Sequence, residues 1–466
     1  MAEGMVWALR LLWALLQGEL TTGQDFAADL RNKPQSCGVS ESCVRTGEFQ
    51  RSNSNILLEL GCPENEPSLD KALAYWENEE KLHPKVFNEF CMRLPANQIN
   101  AGRVAPLYAF HVVLYKHEVY MSCCDTHISC ESLLAGKLRN HRDLRESIGV
   151  LQELLTIMDI DMQFLLAFGD EPFTSQVLYS NVPLFHPSGS ESHWTIPWPS
   201  IYHIRALLNG LLDNDTLVSE SPWQNRKPQL WWRGSMIAPS TTLLTTAHFH
   251  PRMRLMKIAN RFPGMFDVAF SGVHRTLHLQ WGERNIDMLL QKIQARVVDY
   301  EDFWEHAPKF KFLLVAPGVT QSHQLSHVLR SGSVPLIVSD ATFEHLFPLL
   351  QPWKHYVPIH PNLDDLVPVL ERLHSDDELA QSIAVAAQQL ASQRLRPTGT
   401  YCYLSSALLR LQNITWKEES LLAEFSRSFT HVPRIDLAKE HSRFLPLETR
   451  LREKRKKKKC LDVEVK

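Results

Sequence analysis

The alternation of apolar and polar positions is clearest in the second half of the chain. Phe310–Ala316 (FKFLLVA) and Val334–Val338 (VPLIV) are short apolar runs of strand length, and His355–Ile359 is a third. Between and after them lie helical spacings at His323–Arg330, Phe343–Leu350, Leu363–His374 and Asp377–Arg394. Strands separated by single helices predict a parallel sheet covered on both faces. The first half repeats the theme less regularly. A helix is expected around Leu69–Lys81 and another over Arg142–Leu155, where Leu144, Ile148, Leu151, Leu154 and Leu155 share one face. The continuous run Met162–Phe168 (MQFLLAF) reads as a buried strand ended by the turn Gly169-Asp170-Glu171-Pro172. Ile201–Leu212 is helical, and Gln229–Trp232 starts a strand that is expected to break at Gly234. Parallel α/β sheets bind ligands beyond the carboxyl ends of their strands, so the turns after Phe168, Trp232, Ala316 and Val338 are where chemistry is sought.

Composition narrows the options. The 466 residues are 44% hydrophobic and 22% charged with a net charge of −3, which gives no footprint for nucleic acid. The tail RLREKRKKKK (Arg450–Lys459) is the local exception, read as a solvated disordered end or a polyanion-binding or import signal. Met5–Leu16 is apolar but short of the roughly 20 residues that span a bilayer. It is either an imperfect secretory signal, with Glu3 and Arg10 out of place, or the start of an amphipathic helix. Seven of the nine cysteines fall in the first third, a clustering that suits disulfides in an oxidising compartment. Asn214-Asp215-Thr216 and Asn413-Ile414-Thr415 are N-glycosylation sequons.

Three turns carry candidate chemistry. Asp170 can take a proton from an incoming hydroxyl, although spacing alone equally describes a turn-stabilising aspartate. Trp231-Trp232-Arg233-Gly234-Ser235 sets a guanidinium, a glycine and a hydroxyl at a strand end, donors that suit a phosphate. Pro317–Ser322 places Gly318 and Ser322 at a strand-to-helix turn where a helix N-terminus attracts a diphosphate, or is a plain βα loop. Ser331-Gly332-Ser333 reads as a helix C-cap. The segment Cys123–Cys130, with His127, offers zinc ligands but reads better as a small disulfide loop. His248-Phe249-His250 has no third ligand in register and stays unassigned. The absence of P-loop, GxSxG and GxGxxG patterns argues against NTPases, α/β hydrolases and dinucleotide enzymes.

From Leu107 to Leu411 these pieces resemble the capsule-associated and Rumi-type O-glucosyltransferase family, glycosyltransferase family 90, most specifically in FKFLL, GVTQS, SGSVPLIVSD and FEHLFPLLQPWKHYVPI. The resemblance implies a GT-B-like α/β fold: two Rossmann-like lobes with parallel sheets and a central cleft. It implies inverting, metal-independent transfer of glucose or xylose from a UDP-sugar to a hydroxyl of a protein or glycan acceptor, without other cofactor. It casts Asp170 as the base, Arg233, Gly234, Ser235, Gly318 and Ser322 as donor-side residues, and Cys124 with Cys130, and Cys402, as disulfide positions. The expected organisation is a leader at 1–20, a cysteine-containing region at 21–106, an N-lobe at 107–225, a C-lobe at 226–412, a helical extension at 413–449 and a basic tail at 450–466. It places the chain in the endoplasmic reticulum lumen or secretory pathway, with no transmembrane anchor; a cytoplasmic or nuclear location is the alternative. Gln324, Pro317, Met236 and Thr241 stand where relatives carry arginine, and Pro308 and Ser331 where relatives carry a cysteine pair. A catalytically silent glycoprotein binder or chaperone is therefore the competing reading.

Overall fold

The computed structural model describes most of residues 53–450; residues 1–52, 92–107, 132–140, 169–182, 213–220 and 451–466, and several shorter stretches, lie outside the described residues. The leader, Cys37, Cys43, Cys460, Asp170, Asn214, Thr241 and the basic tail therefore fall outside them. The described residues belong to one compact unit spanning Ser52–Lys466.

The first lobe opens with helix α1 (Pro67–Glu77) and a hairpin of β1 (Tyr108–Tyr115) and β2 (Glu118–Cys123). The hairpin escaped sequence reading because its turn has no glycine, asparagine or proline. Lys116 and His117 instead hold positive φ values of 51° and 65°, the backbone that a two-residue hairpin turn requires. Tertiary contacts hold them there: the Lys116 amide donates to Asp161 Oδ1 at 2.8 Å, and His117 Nδ1 meets the Leu155 carbonyl at 3.1 Å. Helix α2 (His141–Leu155) follows with its apolar face buried, as its spacing predicts, and leads into β3 (Met162–Phe168), every residue of which is buried. Strands β4 (Leu184–His186) and β5 (Thr195–Pro197) continue parallel to β3. The hairpin runs antiparallel to it, so this sheet is mixed. Helix α3 (Ile201–Leu208) closes the first half, its N-terminus capped by Ser200.

The second lobe carries the regular alternation. Strand β6 (Lys227–Met236) runs past Gly234 through a register shift against its neighbour, so the expected break is a bulge. Helix α4 (Pro251–Arg261), β7 (Phe266–Val273) and β8 (Phe310–Val315) follow, then α5 (Leu325–Arg330), β9 (Val334–Val338) and β10 (Val357–Ile359). The five strands form one parallel sheet in the order β10-β9-β8-β6-β7. Helices α6 (Leu366–Ser375) and α7 (Asp377–Arg394) finish the lobe. The expected helix at Phe343–Leu350 is only one 3₁₀ turn, Phe347–Leu349. Pro348 and the short spacing to Pro352 leave no room for a second turn.

The chain then returns. Tyr401, Leu404, Leu408 and Leu411 of α8 (Pro397–Ile414) sit in the apolar core of the first lobe, beside Leu69, Leu73 and Leu151. The C-lobe expected to run to residue 412 thus gives up its last helix to the N-lobe core. Helix α9 (Glu419–Ser428) packs on β1, and β11 (Thr430–Val432) adds an edge strand to β2, completing the order β11-β2-β1-β3-β4-β5. A bridge between Cys62 and Cys402 ties α8 to the segment before α1, supplying the cysteine partner expected for Cys402. The remaining pairing differs from the expected Cys124–Cys130 loop: Cys123 joins Cys130, and Cys124 joins Cys91. Adjacent residues at the end of β2 face opposite sides of the sheet, so the two cysteines reach different partners. Between the lobes, Gly189–Ser190 pairs with Thr342–Phe343.

Candidate functional site

The carboxyl ends of the parallel strands and α3 of the first lobe enclose a cleft of about 560 Å³. All five expected donor-side residues line it: Arg233, Gly234, Ser235, Gly318 and Ser322. Residues from three separate strand ends converge here because parallel strands deliver their following loops to one edge.

The roles inside the cleft differ from the sequence reading. Arg233 is buried, and its guanidinium is engaged by protein carboxylates. Nε donates to Glu301 Oε2 and Nη2 to Asp267 Oδ1, both at 2.8 Å, while Nη1 donates to the carbonyls of Trp232 and Asp267. Its Cζ lies 5.3 Å from the Trp231 ring centroid. The forked donors expected to hold a phosphate thus hold the wall of the cleft. Gly234 is required for packing: a Cβ there would lie 2.6 Å from the Trp232 ring, which fills the core beneath.

A cation that sequence reading missed stands nearby. Arg252, on the first turn of α4, is buried, lines the cleft and donates to the carbonyls of Ser235, Ala316 and Pro317. Gly318 passes so close that a Cβ would lie 3.0 Å from its Nη2. Thus Arg252 joins the two expected donor loops. Its signal in the sequence was slight: a His-Pro helix start, of which only the HxH pattern drew notice. His250 now has a role there, accepting from the Arg252 amide and donating from Nε2 to the Gly318 carbonyl at 3.0 Å. Burial lowers its pKa to about 4, keeping it neutral for this job.

The Pro317–Ser322 turn is tied into the fold. The Gly318 amide donates to Thr320 at 2.7 Å, the Gln321 amide to Thr342 Oγ1 at 2.9 Å, and the turn leads to a helix of only 6 residues. Gln324 bonds the Arg233 carbonyl at 2.9 Å. Met236 is wholly buried in the core, and Pro317 offers its carbonyl to Arg252, so these arginine-replaced positions serve packing. Ser331-Gly332-Ser333 closes α5 as expected, with Arg226 donating to Ser331, Gly332 and Ser333. His323 stacks on Tyr202 of α3 at 5.5 Å and faces the buried Glu344 at 3.4 Å. Asn413 is exposed on α8, whereas the hydroxyl of its sequon partner Thr415 turns inward to the Leu411 carbonyl. Among the described residues no group of three or more His, Cys, Asp or Glu is placed to hold a metal ion, and no helix is long and apolar enough to cross a membrane.

Two α/β lobes with a cleft at the strand carboxyl ends define a protein that takes a ligand between its lobes. The chain belongs to glycosyl transferase family 90, whose family model matches residues 108–415. It is 23% identical over 299 residues to protein O-glucosyltransferase 3 of Homo sapiens, covering 62% of this chain and 54% of the relative. It is 26% identical over 301 residues to protein O-glucosyltransferase 1 of Rattus norvegicus, covering 61% and 67%. The chain thus spans about half the length of the first of these relatives. Among solved structures, Anabaena HepE in complex with UDP-glucose aligns at a TM-score of 0.28 and 12% identity, covering 46% of this chain and 56% of that one. The family assignment rests on the family model.

Proposed function

We propose that this chain moves glucose or xylose from a UDP-sugar to a hydroxyl of a protein or glycan acceptor, with inversion. The Asp170 carboxylate takes the acceptor proton as the acceptor oxygen bonds to the anomeric carbon. The bond from that carbon to the phosphate oxygen breaks, and its electron pair leaves with UDP. In the sequence Asp170 lies two residues beyond Phe168, the end of β3, the buried strand of the first lobe. The observation that carries the reading is the convergence of all five donor-side residues on one cleft, with the Arg252 guanidinium holding its two loops together. Positive charge preorganised at such a place favours the departing diphosphate. In this reading the charge is met by the chain's own cations, so activity withstands chelators. The relatives' names, protein O-glucosyltransferase, support glucose and a protein acceptor, and three disulfides support an oxidising compartment such as the endoplasmic reticulum lumen.

The test is UDP release from a panel of UDP-sugars, with and without acceptors. Asp170→Asn is expected to lower transfer at least ~100-fold and to leave UDP binding intact. Wild-type protein that binds no UDP-sugar by calorimetry would end this reading. A second reading, a non-catalytic glycoprotein binder, draws on one observation: Arg233 is committed to two carboxylates. It is favoured if UDP-sugar binds and no acceptor is ever modified.

A further inference from the structure

We propose that Gln321 reads the sugar of the donor, its side-chain amide hydrogen-bonding a hydroxyl of the glycosyl group that is transferred; this rests on the donor reading above. Gln321 lines the cleft, and its Nε2 is buried with no hydrogen-bond partner among the described residues. A buried N–H without an acceptor destabilises the protein that carries it, so such a group in the wall of a ligand cleft points to an oxygen supplied by the ligand. The backbone beneath it is fixed. The Gln321 amide donates to Thr342 Oγ1 at 2.9 Å, and the Thr342 hydroxyl donates in turn to Asp340 Oδ2 at 3.1 Å. The carboxamide is therefore carried by an anchored turn, the condition for a group that must discriminate between ligands.

Position along the turn selects the sugar over the diphosphate. At Pro317 and Gly318 the turn meets the Arg252 guanidinium, the end at which the donor reading sets the diphosphate. At its other end it meets the first lobe. Thr320 Oγ1 lies 3.4 Å from Ser188 Oγ, and Thr342, which holds the Gln321 amide, pairs with Ser190. In the donor reading the acceptor's base belongs to the first lobe, so the transferred group belongs at this end. A sugar hydroxyl both donates and accepts, which suits a carboxamide, whereas a phosphate oxygen only accepts and is better met by a cation. Gln321 also borders a cavity of about 20 Å³ beside Asp340 and Thr342, with room for no more than a water molecule. A carboxamide that serves the turn through this cavity is the competing role.

Gln321→Met keeps the length of the side chain and removes its amide, and calorimetry with UDP and with UDP-glucose separates the sugar from the nucleotide. The variant is expected to lose affinity for UDP-glucose about five-fold while its affinity for UDP is unchanged. Gln321→Ala, which also removes the bulk, should show the same split. The urea midpoint of Gln321→Met should stay level or rise, because the variant no longer buries an unpaired donor; a residue that merely supports the turn would lower it. An unchanged affinity for UDP-glucose, with the midpoint lowered, overturns this inference alone and gives the carboxamide to the turn. Equal losses for UDP and UDP-glucose overturn it too, since the sugar is then not what Gln321 reads. No binding of UDP-glucose by the wild type overturns the donor reading and this inference together.

Discussion

Replacing Arg233 by methionine separates the two roles open to this residue. Methionine keeps the apolar stem against Trp231 while removing the charge. Only 6% of the Arg233 side chain is exposed, against 25% for Asp267 and 24% for Glu301. Breaking a fully buried pair from one side typically costs 3–5 kcal/mol, and an exposed pair contributes under about 1 kcal/mol. With the carboxylates partly wetted, and Arg296 still 3.2 Å from Asp267, the loss should be about 2–3 kcal/mol. Urea unfolding followed by tryptophan fluorescence reads this as a lower midpoint with an unchanged slope. Adding Glu301→Gln and Asp267→Asn to Arg233→Met should restore about half of the loss, since the stranded charges are gone. The folded variant should bind UDP-glucose within a few-fold of wild type. An unchanged urea midpoint together with a ten-fold or greater loss of UDP-glucose affinity would refute the reasoning and return Arg233 to the donor.

Three further outcomes are expected. Burial lowers the pKa of His111, His250 and His327 to about 4 and of His345 to about 3, and puts His203 well below 6.5. A histidine with a lowered folded pKa binds its proton more readily in the unfolded chain, so stability is full above about pH 6.5 and drains away as pH falls toward 4. At pH 5 each contributes on the order of 2 kcal/mol of destabilisation, and a urea midpoint equal at pH 7 and pH 5 would contradict this. Non-reducing peptide mapping should recover Cys62–Cys402, Cys91–Cys124 and Cys123–Cys130, and a Cys124–Cys130 peptide would overturn the pairing. Because the first bridge closes a separation of 340 residues, Cys402→Ser should lower stability by about 3–5 kcal/mol.

Periodicity along the chain determined the second lobe. Runs such as FKFLLV and VPLIV are strands because both faces of a central parallel strand are buried, a condition written into consecutive residues. The same logic marked β3, and the loops after β6 and β8 as the cleft's walls. What depends on partners far away in sequence was beyond its reach. The hairpin turn at Lys116-His117 is held by Asp161 and Leu155, and α8 joins the first lobe because its apolar face fits that core. Cys123 and Cys124 were divided between two partners by the pleat of β2. The charges tell the same story. An arginine at a strand end reads as a ligand for phosphate until the fold sets Asp267 and Glu301 against it, and no local pattern marks Arg252 or His323 before packing sets them in the lining of the cleft. Residue type sets which interactions a side chain can make, and local pattern sets its strand or helix. Its partner is chosen by the tertiary structure, because pairing energy depends on distance and burial, which no linear pattern encodes.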